Sequence, residues 1–414
     1  MPTRYWVETL GCPKNQVDSD KLVGTLEADG LIAAAVPEEA DVVVVNTCAF
    51  IEAARQESID TVLALSETRR PGARLVVTGC LAERYGDELA TALPEADAVA
   101  GFGVPVTLTP KVPSFDLLNL PRPRSRVPWA YVKVAEGCDR ACGFCAIPSF
   151  RGKQRSRSIE HILDEVDQLE VAEIVLVAQD LASYGRDLGR PDGQERGGRT
   201  IVPLVQAVAQ RVARTRLLYL YPSELDDALV DTVCATGVPY FDLSLQHVSK
   251  PLLRRMRRWG DGDRFLARIR SIRASEREAA FRSSFIVGYP GETEGDHDLL
   301  LRFVEEADLD WAGFFAFSRE DGTYAAGLDG GVDDALVAER LCELTELQDR
   351  ITARRRDAMV GREVDVLVDT PGVGRTHREA PEIDGIVSVP EALAPGSFAR
   401  LTVTAATGPD LEAA

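Results

Sequence analysis

The sequence predicts an α/β protein built in three parts, and three observations predict it. Apolar strand-like runs alternate with amphipathic stretches through residues 1–110 and again through 129–356, the pattern of parallel sheets covered by helices. A proline-rich stretch separates these two regions. From about Arg362 the pattern changes to short strands between Pro and Gly turns, as in a small antiparallel β-barrel. The expected parts are an N-terminal parallel α/β domain (1–110), a linker (111–128), a central partial (β/α)6 barrel (129–356) and a C-terminal barrel (357–414).

In the first domain the expected strands are Arg4–Leu10, Asp41–Asn46 and Arg74–Thr78, with helices around Ser19–Asp29, Ala53–Ser66 and Ala82–Leu93. The second and third strands are continuous apolar runs, as strands buried on both faces are. Each strand runs into a cysteine: Cys12 in Gly11-Cys-Pro-Lys-Asn15, Cys48 after Asn46-Thr47, and Cys80 after Thr78-Gly79. Ligands of open α/β sheets sit outside the carboxyl ends of the strands. The three thiols are therefore expected to converge as the ligands of an auxiliary cluster; three unrelated buried thiols are the other reading. Prolines at 105, 110, 113, 121, 123 and 128 mark Val104–Pro128 as a semi-extended linker.

The central strands are expected at Ala130–Ala135, Glu173–Ala178, Arg216–Tyr221, Tyr240–Leu245, Arg282–Gly288 and Ala312–Phe317, with helical runs such as Ser158–Leu169 and Val202–Ala213 between them. Barrel chemistry sits at the C-terminal strand ends. There the sequence carries Gln179-Asp180, Pro222-Ser223-Glu224, Gln246-His247 and Gly288-Tyr-Pro-Gly-Glu-Thr293. Gly185–Arg199, rich in Gly and Arg, reads as a mobile surface loop. Directly after the first strand comes Cys138-Asp-Arg-Ala-Cys142-Gly-Phe-Cys145. Four-iron clusters normally take four cysteines; three ligands leave one iron open, as a catalytic metal site requires. A zinc knuckle would need a fourth ligand, and the nearby His161 falls in a predicted helix. Buried structural thiols are the remaining alternative.

Composition narrows the setting. Of 414 residues, 45% are hydrophobic and 27% charged, and no apolar run approaches the ~18 residues of a membrane span. The first residues lack the apolar segment of a signal peptide. Eight cysteines are few for a disulfide scaffold of this length, which fits a reducing, cytoplasmic setting. The net charge of −19 is concentrated at the ends: residues 1–110 carry 8 basic and 17 acidic side chains, and 357–414 carry 4 and 10, among them Glu363, Asp365, Glu382 and Asp384. Such ends disfavour nucleic acid and favour a basic partner. Cys234 and Cys342 are expected in the core; His161, His297 and His377 are expected on the surface. The basic runs Arg151–Arg157 and Arg254–Arg258 read as solvated faces, although Arg151 follows the cysteine loop closely enough to reach its contents.

Cys12, Cys48 and Cys80 together with Cys138-x3-Cys142-x2-Cys145 and a terminal small barrel resemble the methylthiotransferases, radical-SAM enzymes with an auxiliary-cluster domain and a C-terminal TRAM domain. The motifs Leu10-Gly-Cys-Pro-Lys-Asn15, Ala135-Glu-Gly-Cys138, Ala146-Ile-Pro-Ser-Phe-Arg-Gly152, Ala178-Gln-Asp-Leu181, Phe285–Thr293 and Glu379-Ala-Pro-Glu-Ile-Asp-Gly385 resemble the branch that modifies small-subunit ribosomal protein twelve. The tRNA-modifying branch typically has Gln-Met at the positions of Pro13-Lys14. One departure is Arg319 after Ser318, where the family usually has Pro.

The resemblance implies two [4Fe-4S] clusters, each held by three of these six cysteines, and S-adenosyl-L-methionine (SAM), with Gln179 and Asp180 as candidate SAM contacts. It implies methylthiolation of an aspartate β-carbon in that basic ribosomal protein, supplied by a flavodoxin-like electron donor and a sulfur donor. A tRNA adenosine methylthiotransferase and a non-catalytic iron–sulfur electron-transfer protein are the alternatives.

Overall fold

The computed structural model describes residues 2–102, 117–188 and 200–414. The first domain is a five-stranded parallel sheet in the order β2-β1-β3-β4-β5. Its strands are β1 (Arg4–Thr9), β2 (Ile32–Ala33), β3 (Val42–Thr47), β4 (Arg74–Gly79) and β5 (Ala98–Ala100). The helices are α1 (Pro13–Ala28), α2 (Glu52–Thr68) and α3 (Cys80–Ala92). The expected strands and helices are present; β2 and β5 are additional edge strands, too short to show a period. Helix α1 begins six residues before the expected Ser19, because Pro13 takes a first-turn position where its missing N–H costs nothing.

The central domain runs β6 (Trp129–Lys133), β7 (Ala135–Glu136), α4 (Ile147–Arg151), β8 (Arg155–Ser156), α5 (Ile159–Leu169), β9 (Glu173–Val177), α6 (Val202–Ala209) and β10 (Arg214–Leu217). It continues through α7 (Asp227–Cys234), β11 (Tyr240–Gln246), α8 (Lys250–Arg255), α9 (Gly262–Ser275), β12 (Ala280–Val287), α10 (Glu294–Ala307), β13 (Trp311–Ala316) and α11 (Asp334–Asp357). Strands β6, β9 and β10 pair in parallel, as do β11, β12 and β13. A parallel bridge from Leu220 to Leu243 joins the two groups, giving an open six-stranded barrel. The tenth strand ends earlier than its apolar run suggests, because Tyr219 adopts φ +66° and turns the chain out of the ladder.

Alternation along the strands divides the core. Ala130, Val132, Ile174 and Leu176 face the helices. Tyr131, Val175, Val177, Leu218, Tyr240, Ala280 and Trp311 fill the inside, joined by Val17 of α1 and Ala380 of the C-terminal domain. Both flanking domains therefore contribute to the barrel's interior.

The C-terminal domain is a closed barrel of β14 (Glu363–Thr370), β15 (Val373–Arg375), β16 (Val387–Ser388), β17 (Phe398–Thr407) and β18 (Asp410–Ala413). Its segment Thr376–Gly385 plugs the central domain. Tyr131 donates to the Pro381 carbonyl (2.9 Å), Trp311 to that of Arg378 (2.7 Å), and Tyr240 to Asp384 Oδ2 (2.6 Å). Asp384 is thus a structural acceptor rather than part of an acidic surface. Glu173, fully buried, pairs with Arg216 (2.7 Å) and with Arg375 of the C-terminal barrel (3.0 Å).

Several expectations are corrected. Arg151 and Arg157 are buried, not solvated: Arg157 donates to the Lys133 carbonyl (3.0 Å) and pairs with Glu165 (2.6 Å). His297 is buried on α10 against Glu343 (2.7 Å), and His377 is half-buried, bonded to the Glu278 carbonyl (2.9 Å). Cys342 is exposed and Cys234 half-buried. Prolines 105, 110 and 113 and residues 189–199 of the expected loop lie outside the described residues. The described part of the linker is pinned: Leu117 and Leu118 are buried, and Arg122 pairs with Asp20 (2.8 Å) and Glu165 (2.9 Å).

Burial alone would raise the carboxyl of Glu173, but Arg375, Arg216 and Arg214 outweigh it and hold it at about 2. Glu379, facing Arg356 and Thr376, is likewise held at about 2 against burial. A group depressed in the folded state stabilises fully above its unfolded value of about 4.3. That contribution is lost as pH falls through the interval from about 4.3 to about 2. Thermal melts should therefore show the midpoint falling steeply across this interval. Glu173→Gln, which leaves Arg216 and Arg375 uncompensated, should cost about 3–5 kcal/mol at neutral pH and flatten the acid dependence. An unchanged acid profile in this variant would show that the contact does not tie the domains together.

Candidate active site between two cysteine triads

The first triad is built by the sheet. Strands β1, β3 and β4 are adjacent and in register, so Cys12, Cys48 and Cys80 leave the same edge. Two glycines allow the approach. Gly11 sits at φ +94°, and a Cβ there would meet Cys48 Sγ at 2.9 Å. Gly79 sits at φ +92°, and its Cβ would meet the Asn46 side chain at 2.3 Å and the Thr47 backbone at 2.6 Å. Only glycine accepts both the conformation and the closeness.

Asparagines brace the loops. Asn15 donates to the carbonyls of Leu10 (2.9 Å) and Thr47 (3.0 Å), and Asn46 donates to the Asn15 carbonyl (2.9 Å). The hydroxyl of Ser58 bonds both the N–H and the carbonyl of Cys48. The thiols differ electrostatically. Burial would raise Cys12, but Lys14, the Asn15 N–H and Arg151 outweigh it and lower it. Burial pushes Cys48 up to about 12, helped by Cys80 and Cys12 beside it, and raises Cys80 despite Arg151.

The second triad hangs on the loop after β7. Cys138 accepts from the Arg140 N–H (3.4 Å) and Cys142 from Arg258 Nη1 (3.3 Å), so one member of the Arg254–Arg258 run faces the thiols. The loop is tied down by Gly143, whose N–H donates to the Met256 carbonyl and whose carbonyl accepts from the Ala325 N–H, both at 2.8 Å. Burial pushes Cys138 up to about 11 and Cys145 up to about 12. Arg140 stacks on Tyr221 (3.8 Å) and reaches Asp180 (2.6 Å), Ser183 (3.1 Å) and Glu224 (3.1 Å), which gathers the strand-end clusters around the loop. Gln179 donates to Glu136 (2.6 Å). Gln179 Oε1 and Asp180 Oδ1 are buried without a partner among the described residues.

Arg151 connects the triads. Its Nη2 donates to Cys80 Sγ (3.0 Å) and Asn15 Oδ1 (2.8 Å), and its Nη1 to Glu136 (3.0 Å) and Asp18 (3.1 Å). Lys133 completes the group by pairing with Asp18 and Glu136, the latter at 2.6 Å. Glu136 lies two residues before Cys138. Asn15, Glu136 and Arg151 lie in the motifs singled out in the sequence, but Asp18 and Lys133 do not stand out there, because their meaning depends on α1 meeting β6. A clasp closes the far side: Glu320, in the loop after β13, accepts from Arg55 of α2 and from Arg84 of α3 (2.6 Å), while Ser318 accepts from the Glu52 N–H (3.1 Å). That polar clasp occupies the turn expected to depart from the family pattern.

All eight cysteines are free, and each triad offers sulfur donors only, the chemistry that iron–sulfur clusters take. Among the described residues no three His, Cys, Asp or Glu side chains converge to hold a single metal ion. A four-iron cluster is broader than one ion and takes its thiolates further apart. No helix among the described residues is long and apolar enough to cross a membrane.

Residues 4–101 match the family described as "Uncharacterized protein family UPF0004", 132–304 the Radical SAM superfamily and 360–414 the TRAM domain. The superfamily implies a four-iron cluster and SAM. The chain is 43% identical to a Salinispora tropica protein named ribosomal protein uS12 methylthiotransferase RimO, over 98% of this chain and 94% of that one. It is 41% identical to the Moorella thermoacetica protein of the same name, over 97% and 96%, and 39% to that of Akkermansia muciniphila, over the full length of both. Identity at this level across nearly the whole chain, with all three domain matches in order, makes the protein a member of the radical-SAM methylthiotransferase family, in the branch whose curated members are named RimO.

Proposed function

We propose that the protein transfers a methylthio group to the β-carbon of an aspartate in small-subunit ribosomal protein uS12, using two [4Fe-4S] clusters and SAM. The observation that carries this reading is the pair of triads on either side of Arg151, which bonds Cys80 with one nitrogen and Glu136, beside Cys138, with the other. In this reading Cys138, Cys142 and Cys145 hold the cluster that takes SAM, and Cys12, Cys48 and Cys80 hold the auxiliary cluster. When bound, these groups supply the methyl, the sulfur and the adenosyl radical that takes the β-hydrogen, chemistry beyond any side chain.

The protein's own residues bind and orient. Gln179 and Asp180 each keep one buried oxygen without a partner among the described residues, which in this reading is left for SAM. Arg258 and the Arg140 N–H hold two of its thiolates. Arg151 and Lys14 offset the charge of the first triad. The reading also requires an electron donor of flavodoxin type, a sulfur donor and a reducing, cytoplasmic setting.

The substrate is inferred from the names of the relatives and from charge. All four basic side chains of residues 357–414 are paired: Arg375 with Asp369 (2.6 Å), Arg378 and Arg362 with Glu278 (both 2.7 Å), and Arg400 with Glu363 (3.0 Å). Glu363, Asp365, Glu391 and Glu412 are exposed. Such a surface repels phosphate and attracts a basic protein.

Two outcomes test the reading. Anaerobically reconstituted protein should hold roughly eight irons, as two cubanes do. Cys12/Cys48/Cys80→Ala should hold about half of that and still cleave SAM to 5′-deoxyadenosine, whereas Cys138/Cys142/Cys145→Ala should hold about half and not cleave it. Full iron in the first variant would remove the auxiliary cluster from the reading. Offered uS12 and tRNA together, the enzyme should add methylthio mass to the protein alone. Reversal of Glu363, Asp365, Glu391 and Glu412 to Lys should weaken uS12 binding, most clearly at low salt. Modification of tRNA adenosine with uS12 untouched would replace this substrate by the nucleic acid.

A further inference from the structure

Helix α1 presents Lys14, Val17, Asp18 and Lys21 along one face, the i, i+3, i+4, i+7 spacing. Three of the four are matched to what they meet. Val17 packs inside the barrel, Asp18 pairs with Lys133 and Arg151, and Lys21 donates to the Leu118 carbonyl (2.6 Å) and faces Glu165 (3.5 Å). Lys14 is not. Its Nζ stands 3.5 Å above the centre of the Tyr219 ring, and no carboxylate is paired with it among the described residues. The chain carries 66 acidic against 47 basic side chains, and the buried cations nearby, Lys21 on the same helix and Lys133 and Arg151 beyond it, all have carboxylates. A half-buried lysine on an aromatic face, with no carboxylate and only the neighbouring Cys12 thiol to share its charge, has room for a further anion that the protein itself does not supply.

Its location identifies the anion. Lys14 is two residues from Cys12, and Tyr219, two residues beyond the end of β10, lies at the C-terminal mouth of the barrel under its ammonium. Tyr219 is fixed in place. A bulky residue at φ +66° is held there by its surroundings, and its N–H donates to Asp242 Oδ2 (2.9 Å). The ammonium therefore stands on a rigid platform, between the first triad and the barrel mouth.

We propose that Lys14 is the specificity-determining residue that receives the side-chain carboxylate of the substrate aspartate. The inference rests on the aspartate reading above and deepens it. The β-carbon is bonded directly to that carboxyl carbon, so anchoring the carboxylate fixes the reacting carbon to within a bond length. An asparagine at the same place would leave the ammonium without its anion, and a glutamate would hold the wrong carbon at that distance.

A double-mutant cycle tests the contact by binding rather than turnover. Reconstituted enzyme, as wild type, Lys14→Met and Lys14→Arg, is titrated by fluorescence anisotropy with uS12 and with uS12 carrying Asp→Asn at the modified residue. Wild type should bind the Asn protein on the order of tenfold to a hundredfold more weakly than the Asp protein. Lys14→Met should bind both alike, at the weaker level, and Lys14→Arg should recover most of the preference for Asp. Iron content equal to wild type reports that the Cys12 triad is undisturbed. Should Lys14→Met distort it, the Asp-to-Asn comparison in wild type and Lys14→Arg still decides the matter.

Equal affinity of wild type for the two proteins, or a Lys14→Met variant that still prefers Asp, overturns the assignment. So does loss of SAM binding in Lys14→Met, which would give the ammonium to the SAM carboxylate. Failure of the parent reading is separately visible: wild type would leave uS12 without methylthio mass.

Discussion

Four charged side chains, Asp18, Lys133, Glu136 and Arg151, meet in a buried cluster where the first domain joins the second. Each comes from a different element: α1, β6, β7 and α4. Charges taken out of water are tolerated only when every one is paired with good geometry, and removing one leaves its partner exposed to the full desolvation cost. The cluster therefore admits essentially one arrangement of its four elements. Because Arg151 also bonds Cys80, and Glu136 leads into Cys138, the same arrangement sets the separation of the two thiol triads. A looser apolar joint would hold the domains together, but it would not fix their register to within a hydrogen bond.

The other end of the central domain is organised on the same principle with different partners. An open barrel of six strands cannot fill its own interior. Val17 enters from one domain, and Ala380, with the Pro381 and Asp384 acceptors, from the other. Glu173 sits among Arg216, Arg375 and Arg214, so the plug is charged as well as apolar. The C-terminal barrel is thereby both a structural base and an acidic outer surface, and its four arginines are all paired with carboxylates.

Sequence carried the cysteines, because thiolate spacing after a strand is local, and it carried most strands, because apolar runs are local too. For Arg151 it carried the closeness to the cysteine loop but not the burial. An Arg-Gly-Lys run looks like a solvated face until the fold shows Asp18 and Glu136 waiting for it. The burial of His297 and the partial burial of His377 are illegible for the same reason: a histidine's burial depends on which helix or domain lies over it. The early start of α1 had the largest consequence. With the helix begun at Ser19, the face carrying Lys14, Val17 and Asp18 does not exist, and the contact between domains cannot be seen. Tyr219 ended its strand against its apolar run, since no propensity foresees a tyrosine held at positive φ.

The clasp at Glu320 has a consequence for the geometry of the reaction chamber. Helix α1 lies against β6, the first stave of the open barrel, while α2 and α3 hold the loop that leaves β13, the last. The N-terminal domain thus reaches both the first strand of an unclosed cylinder and the loop that leaves its last. The chamber wall is completed by a neighbouring fold instead of by two further strands. Its width is then set by the pose of a whole domain, which the buried Asp18–Arg151 joint holds in one arrangement, so the chamber is as wide as that joint makes it.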